Sequence, residues 1–192
     1  MVERIGLNYK VIDLRNRGEV KTFLSNKQLI TQIKSILEEN NALVPREKHK
    51  DGKINSQIYS LFKRYVDIFF LAYSEKTGEL VGVIDGEIHP TINIDKNEFN
   101  IHWIAVKKEY QNRNIGKRSM LRLCEYLIKN DFSEITLYSI SVKTDKILKF
   151  LDGKESSLGK YKEDKEMVHL ENILYDGKSS KYKRLYLNKK VK

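Results

Sequence analysis

From Asn100 to Asn130 the chain passes through three patterns without a break. Asn-Ile-His-Trp-Ile-Ala-Val has the alternation of a strand, Lys107 to Arg118 is a polar turn dominated by Lys, Arg and Asn, and Met120, Cys124, Leu127 and Ile128 then fall on one helical face. A strand that feeds a helix through such a turn exposes several main-chain N–H groups without intrahelical partners, at the end of the helix where its dipole is positive. Such a place binds phosphate. Gly116 lets the backbone approach an anion closely, and Arg113, Lys117 and Arg118 add mobile positive charge, so the segment suits a pyrophosphate.

The remaining sequence supplies the frame for that unit. Ile5 to Leu14 alternates apolar and polar residues as a first strand, which the polar stretch Arg15 to Glu19 ends. Ser25 with Gln28 forms a capping box ahead of a helix over Asn26 to Asn40, whose buried face is Leu29, Ile33, Ile36 and Leu37. A polar loop, Val44 to Lys53, leads to a second helix capped by Asn55, with the stripe Ile58, Leu61, Phe62, Tyr65 and Val66. Ile68 to Tyr73, Leu80 to Ile88 and Phe99 to Val106 then read as an antiparallel meander. After the phosphate turn and its helix come a strand Glu134 to Ile140, a short helix Thr144 to Leu151, and a closing hairpin of Glu166 to Tyr175 with Tyr182 to Leu187 around Asp176-Gly177.

With 192 residues, no repeat and no compositional break, the pattern predicts one domain over residues 1–188 and a short basic tail over residues 189–192. The fold class is α/β (α+β), a mixed and mostly antiparallel sheet flanked by helices. A lone cysteine, Cys124, cannot form an intrachain disulfide, and the first ten residues hold no apolar run of signal or membrane-span length. The expected location is the cytoplasm, with no membrane partner.

Ile104-Ala105-Val106 followed by Glu109-Tyr110-Gln111-Asn112-Arg113-Asn114-Ile115-Gly116 resembles the acetyl-CoA-binding strand and loop of the GNAT superfamily of N-acetyltransferases, whose usual loop is Gln/Arg-x-x-Gly-x-Gly/Ala. The order of elements resembles that family over nearly the whole chain. The resemblance implies acetyl-CoA as co-substrate, with the main-chain N–H groups of Gln111, Arg113, Asn114, Ile115, Gly116 and Lys117 around the pyrophosphate and the backbone of Ile104 and Val106 along the pantetheine arm. Asn114 stands where the family has glycine, and Asn is the non-glycine residue that best tolerates left-handed backbone angles. The dinucleotide fingerprint Gly-x-Gly-x-x-Gly is missing, and Gly116-Lys117 is followed by Arg118 rather than the hydroxyl a triphosphate loop requires.

Acetyl transfer to an amine needs a neutral acceptor, a stabilised oxyanion and a proton for the departing thiolate. Glu98, Asn100, His102 and Ile104 share one parity on their strand, and hence one face. His102 is the preferred base; a half-buried histidine with a satisfied hydrogen bond is the alternative. By resemblance, Asn100 stands about where many family members carry a glutamate base, a role an amide cannot fill, and Glu98 lies two residues before it. His89 is a weaker rival at the acceptor mouth. The family's fourth-helix tyrosine, the acid for the thiolate, has no counterpart in Ile147-Leu148-Lys149-Phe150-Leu151, which leaves solvent or a group such as Tyr161 or Tyr138. The four His and one Cys show no metal-ligand spacing, so no metal is expected.

The functional reading is an N-acetyltransferase acting on a primary amine, with a peptide, protein or aminoacyl amine as the acceptor. Lys+Arg 36 against Asp+Glu 26 gives a net charge of +10, which disfavours polycationic acceptors and favours an anionic carrier such as transfer RNA. Two alternatives stand beside it: a basic RNA- or DNA-binding module, which lacks recognisable nucleic-acid motifs, and a degenerate CoA-binding regulatory protein, suggested by the missing tyrosine. Charge and composition do not define an oligomeric state.

Overall fold

The computed structural model describes residues 5–40, 66–90, 97–139, 142–152, 159–163, 173–175 and 178–189. The elements in chain order are β1 (Leu7–Asp13), α1 (Arg17–Ser25), α2 (Lys27–Glu39), β2 (Ile68–Ser74), β3 (Leu80–Pro90), β4 (Asn97–Val106), a 3-10 turn (Lys108–Tyr110), α3 (Ile115–Lys129), β5 (Phe132–Ser139), α4 (Val142–Leu151), β6 (Gly159–Glu163), β7 (Ile173–Tyr175) and β8 (Lys178–Lys189). They are distributed over two compact units, Met1–Glu87 with Trp103–Ile115 and Ile88–His102 with Gly116–Lys192. The predicted loop Val44 to Lys53 and the predicted second helix up to Tyr65 lie outside the described residues.

In the first unit β1, β2 and β3 pair antiparallel, with Leu7 facing Ser74 and Ile68 facing Gly86. Because side chains alternate across a strand, Phe69 and Leu71 turn to one face and pack with Ile12, Val83 and Ala105 against Phe23 of α1 and Leu29, Ile33, Ile36 and Leu37 of α2. Ala72 turns to the other face and meets Leu7, Val81 and Ile115. The Lys107 N–H donates to the Val81 carbonyl at 2.9 Å and ties the end of β4 to the start of β3.

The first strand ends at Asp13, ahead of the polar stretch as expected, and is followed by helix α1, which the sequence reading did not foresee. Asn16 caps it by accepting the Gly18 N–H at 2.9 Å, and Glu19 reaches back to the Asp13 N–H at 2.7 Å. The polar run Arg15 to Glu19 therefore starts a helix, and Phe23 carries its burial by stacking on Phe69 at 5.4 Å between centroids. The cap of α2 is Asn26 rather than Ser25: Asn26 Oδ1 accepts the Leu29 N–H at 3.0 Å, while the Ser25 hydroxyl turns back to the Lys21 carbonyl of α1. The predicted capping box fails because Ser25 is already the last residue of another helix.

In the second unit β4 and β5 run parallel from Asn97 facing Phe132 to Ile101 facing Leu137. β8 pairs antiparallel with β5 and with β6, and β7 pairs with the start of β8. The sheet is thus mixed and flanked by helices, as the sequence predicts. α3 buries Met120, Leu123, Cys124, Leu127 and Ile128, adding Leu123 to the predicted face. The closing hairpin differs from expectation. Lys181 to Tyr186 pairs with β5 and Leu185 to Lys189 with β6, whereas Ile173 to Tyr175 pairs with Lys178 to Ser180. β6 was not foreseen, since its polar sequence Gly-Lys-Tyr-Lys-Glu has little apolar alternation. Lys189 closes β8 opposite Gly159, so that part of the predicted tail is strand; residues 190–192, residues 164–172 and the Asp176-Gly177 turn lie outside the described residues.

Candidate active site

The turn between β4 and α3 is held from several sides within the first unit. Its first residues coil as a 3-10 turn, with the Tyr110 N–H on the Lys107 carbonyl at 2.9 Å and the Gln111 N–H on the Lys108 carbonyl at 3.2 Å. Glu39, the last residue of α2, accepts the Lys108 N–H at 3.0 Å. Asn40 next to it donates from Nδ2 to the Val106 carbonyl at 3.0 Å and to the Ile36 carbonyl at 2.7 Å. Gln111 Nε2 donates to the same Val106 carbonyl at 3.1 Å and to Asn40 Oδ1 at 3.2 Å. Both lone pairs of the Val106 oxygen are therefore used, and the side chain of Gln111 is a strut beneath the turn.

A second anchor comes from the β2–β3 hairpin. The Tyr110 hydroxyl donates to Glu79 Oε2 at 2.7 Å, and the Lys107 ammonium pairs with Glu79 and, at 2.7 Å, with Glu109. Hydrogen bonds from Lys107 and Tyr110 hold the Glu79 carboxyl below its ordinary range, and Glu109 with Glu79 pushes the Lys107 ammonium up. The Arg113 guanidinium lies over the Tyr110 ring, 5.7 Å from its centroid.

Beyond Gln111 the backbone enters left-handed space twice, at Asn112 (φ 62°) and Asn114 (φ 59°). Alternation of left-handed and ordinary residues turns successive N–H groups to one side, which makes an anion-binding nest. Here it is followed at once by the first turn of α3, whose leading N–H groups have no intrahelical carbonyl. The asparagine in place of the family glycine adopts the conformation that glycine would supply. Donor geometry, the positive end of a helix and the side chains Arg113, Lys117 and Arg118 together fit a pyrophosphate. Lys117 holds its ammonium 5.1 Å from the centroid of Phe150 on α4.

On β4, Phe99, Ile101 and Ala105 are buried, while Glu98, Asn100, His102 and Ile104 are half-buried, in keeping with the predicted parity. Glu98 accepts a hydrogen bond from the buried Thr136 hydroxyl, and Asn100, opposite Thr136 in the register, has its Oδ1 buried without a hydrogen-bond partner. His89 is exposed. Phe150 is half-buried on α4; Tyr138 and Tyr161 stand on β5 and β6, and their side chains lie outside the described residues. The Cys124 thiol is fully buried, and burial pushes its pKa up, which leaves it inert. Among the described residues no group of three or more His, Cys, Asp or Glu could hold a metal ion, and no helix is long and apolar enough to cross a membrane.

This combination is a helix-flanked mixed sheet in which the turn opening α3 presents unpaired N–H groups and positive charge to an anion. The chain belongs to the acetyltransferase (GNAT) family, whose sequence profile matches residues 33–147. No curated protein matches the sequence significantly. Among solved structures, Tetrahymena GCN5 is 16% identical, with 96% of this chain and 98% of that one covered and a TM-score of 0.55. The NatC complex bound to Gag peptide and CoA contains a chain 18% identical, with coverages of 96% and 99% and a TM-score of 0.55. An aminoglycoside acetyltransferase from an uncultured soil metagenomic sample is 15% identical, with coverages of 79% and 91% and a TM-score of 0.54. At these identities the likeness is one of fold.

Asn40, Glu39, Glu79 and Asp85 escaped the sequence reading. The first three bind the turn from 28 or more positions away along the chain, a separation that no local pattern records. Asp85 carried a signal: a carboxylate directly after the apolar run Leu80 to Ile84, inside the predicted strand Leu80 to Ile88.

Proposed function

We propose that this chain is an N-acetyltransferase that moves the acetyl group of acetyl-CoA to a primary amine. The observation that carries the reading is the turn at residues 111–117, where two left-handed asparagines and the first turn of α3 converge N–H donors beside Arg113 and Lys117. The N–H groups of Asn112 to Lys117 receive the pyrophosphate. Gln111 supports them from below, because its amide and its own N–H are committed within the protein. Ile104 offers backbone groups to the pantetheine arm, and Val106 contributes its N–H, since its carbonyl already accepts two bonds.

The bound thioester supplies an activated acetyl carbonyl. His102 takes the proton of the acceptor ammonium at an imidazole nitrogen, directly or through water, so that the amine nitrogen can form the new C–N bond as the C–S bond breaks. Asn100 and Glu98 on the same face orient the acceptor or a bridging water. Phe150 has no proton to give, so water protonates the departing thiolate and takes up in exchange the second proton that the nitrogen sheds as it becomes an amide. The acceptor is a peptide or protein amine, or an aminoacyl group on an anionic carrier such as transfer RNA, which suits the net charge of +10. Residues 1–188 act as one acetyltransferase domain in a reducing, cytoplasmic setting.

Calorimetry of the purified protein with acetyl-CoA, followed by a screen of peptide and aminoacyl acceptors with labelled acetyl-CoA, tests this reading. Absence of binding at millimolar acetyl-CoA refutes it. Binding without transfer to any amine favours the regulatory alternative.

A further inference from the structure

Four polar residues of the second unit share one face of the sheet where β4 and β5 run side by side. Glu98 stands opposite Glu134 and Asn100 opposite Thr136 in the parallel register, which ends one residue later at Ile101 and Leu137. Thr136 and Glu134 are buried, Glu98 and Asn100 half-buried. Hydrogen bonding across this face is uneven. A threonine hydroxyl has one proton to give, and here it goes to Glu98 Oε1 rather than to the amide directly opposite. A carboxylate is the stronger acceptor, so charge decides between the two. Asn100 Oδ1 is left buried with no hydrogen-bond partner. A buried carbonyl oxygen without a donor is costly, and nearly all such oxygens find one in protein, solvent or ligand.

His102 is the next residue of this face after Asn100 and belongs to the same unit. Residues two apart on one strand face stand roughly 6–7 Å from each other, a gap that one nitrogen bridges with a hydrogen bond to each side chain. The group that fits between them donates twice, to the Asn100 oxygen and to the imidazole that takes its proton. An ammonium nitrogen does so; an alcohol oxygen, with one proton, does not.

We propose that Thr136 is a positioning residue for the acceptor amine: by committing its proton to Glu98 it fixes that carboxylate and keeps the Asn100 oxygen open to an N–H of the incoming nitrogen. This rests on the acetyltransferase reading given above, and adds to it a residue of β5 and a physical reason for amine over alcohol acceptors. Thr136 does not touch the acceptor; it acts through Glu98 and Asn100. Thr136→Ser keeps the hydroxyl, whereas Thr136→Val keeps nearly the same volume without it, so that Glu98 loses this donor and draws on the Asn100 amide instead.

The test follows the Asn100 side-chain amide signals in nitrogen-15-labelled protein saturated with CoA. The titrants are methylammonium, the smallest primary ammonium, and tetramethylammonium, a cation of equal charge without an N–H. Wild type and Thr136→Ser should show saturable shifts with methylammonium and none with tetramethylammonium. Thr136→Val should bind methylammonium about fivefold or more weakly, while CoA affinity from calorimetry stays within about twofold of wild type in all three proteins, a separation with serine rescue that a merely structural role does not produce. An equal response to the two cations overturns the proposal, as does no response of wild type to methylammonium, or wild-type methylammonium affinity in folded Thr136→Val. If the valine variant does not fold, Thr136→Ala, which also lacks the hydroxyl, takes its place under the same criteria. Failure of the wild-type protein to bind CoA counts against the acetyltransferase reading instead, and titration of the free chain with the two cations still decides whether Asn100 takes an N–H.

Discussion

The Tyr110 hydroxyl donates to Glu79 Oε2 at 2.7 Å and so fastens the turn before α3 to the hairpin between β2 and β3. The same carboxylate pairs with Lys107, at the start of that turn. One acidic side chain therefore sets the position of a segment whose own charge is mostly positive.

Glu79→Gln and Tyr110→Phe should each weaken acetyl-CoA binding by roughly three- to tenfold, the scale of one partly exposed charge-assisted hydrogen bond. Calorimetry at moderate and high salt checks this. Glu79→Gln should lessen in effect at high salt, and Tyr110→Phe should not. Because the Glu79 carboxyl is held below its ordinary value, its contribution is present at neutral pH and is lost as pH falls through that lowered value.

Asn40→Ala removes the donors to the Val106 and Ile36 carbonyls and the acceptor for Gln111. It should lower stability by about 1–3 kcal/mol and acetyl-CoA affinity by roughly tenfold, read by denaturant melts and calorimetry. Unchanged affinity in folded protein would detach Asn40 from the turn.

Gly116→Val should abolish acetyl-CoA binding with helical content by circular dichroism largely intact, because a branched side chain obstructs the phosphate path at the helix start. Equal affinity in that variant would contradict the assigned loop.

His102→Ala should reduce turnover with the true acceptor by roughly a hundredfold while CoA affinity changes little. The deficit should shrink as pH rises and more of the acceptor amine is neutral without help. Rate profiles against pH, set beside melting temperatures, separate this from a structural histidine, whose loss would lower stability and cofactor binding together.

Asp85 makes a prediction about stability as well. Its pKa rises from 3.8 to about 7 on folding, so the native state binds the proton more tightly than the unfolded chain. Stability therefore falls as pH rises between those two values, by on the order of 4 kcal/mol once the group is ionised. Asp85→Asn, an isostere of the protonated form, should melt higher than wild type at pH 8 and converge with it near pH 4. A constant difference across that range would show that Asp85 does not titrate as assigned.

The sequence determined those features that rest on local periodicity and backbone chemistry. The strand through Ile104, the basic turn and the helical stripe from Met120 to Ile128 were legible because alternation, polar spacing and a 3.6-residue period survive in one dimension. Asn114 was legible as a glycine substitute for the same reason: tolerance of positive φ belongs to the residue itself, and the backbone there takes φ 59°. Tertiary structure decided whatever depends on which distant groups share an oxygen or a volume. Ser25 lost its predicted cap because α1 had already claimed it, and β6 found its place only through pairing with β8. Asn40 and Glu79 became parts of the site through bonds to Val106 and Tyr110, residues 66 and 31 positions away along the chain. Hydrogen bonds across such separations form only once burial has brought the strands together, and the free energy that selects them belongs to the packed sheet rather than to any segment of it.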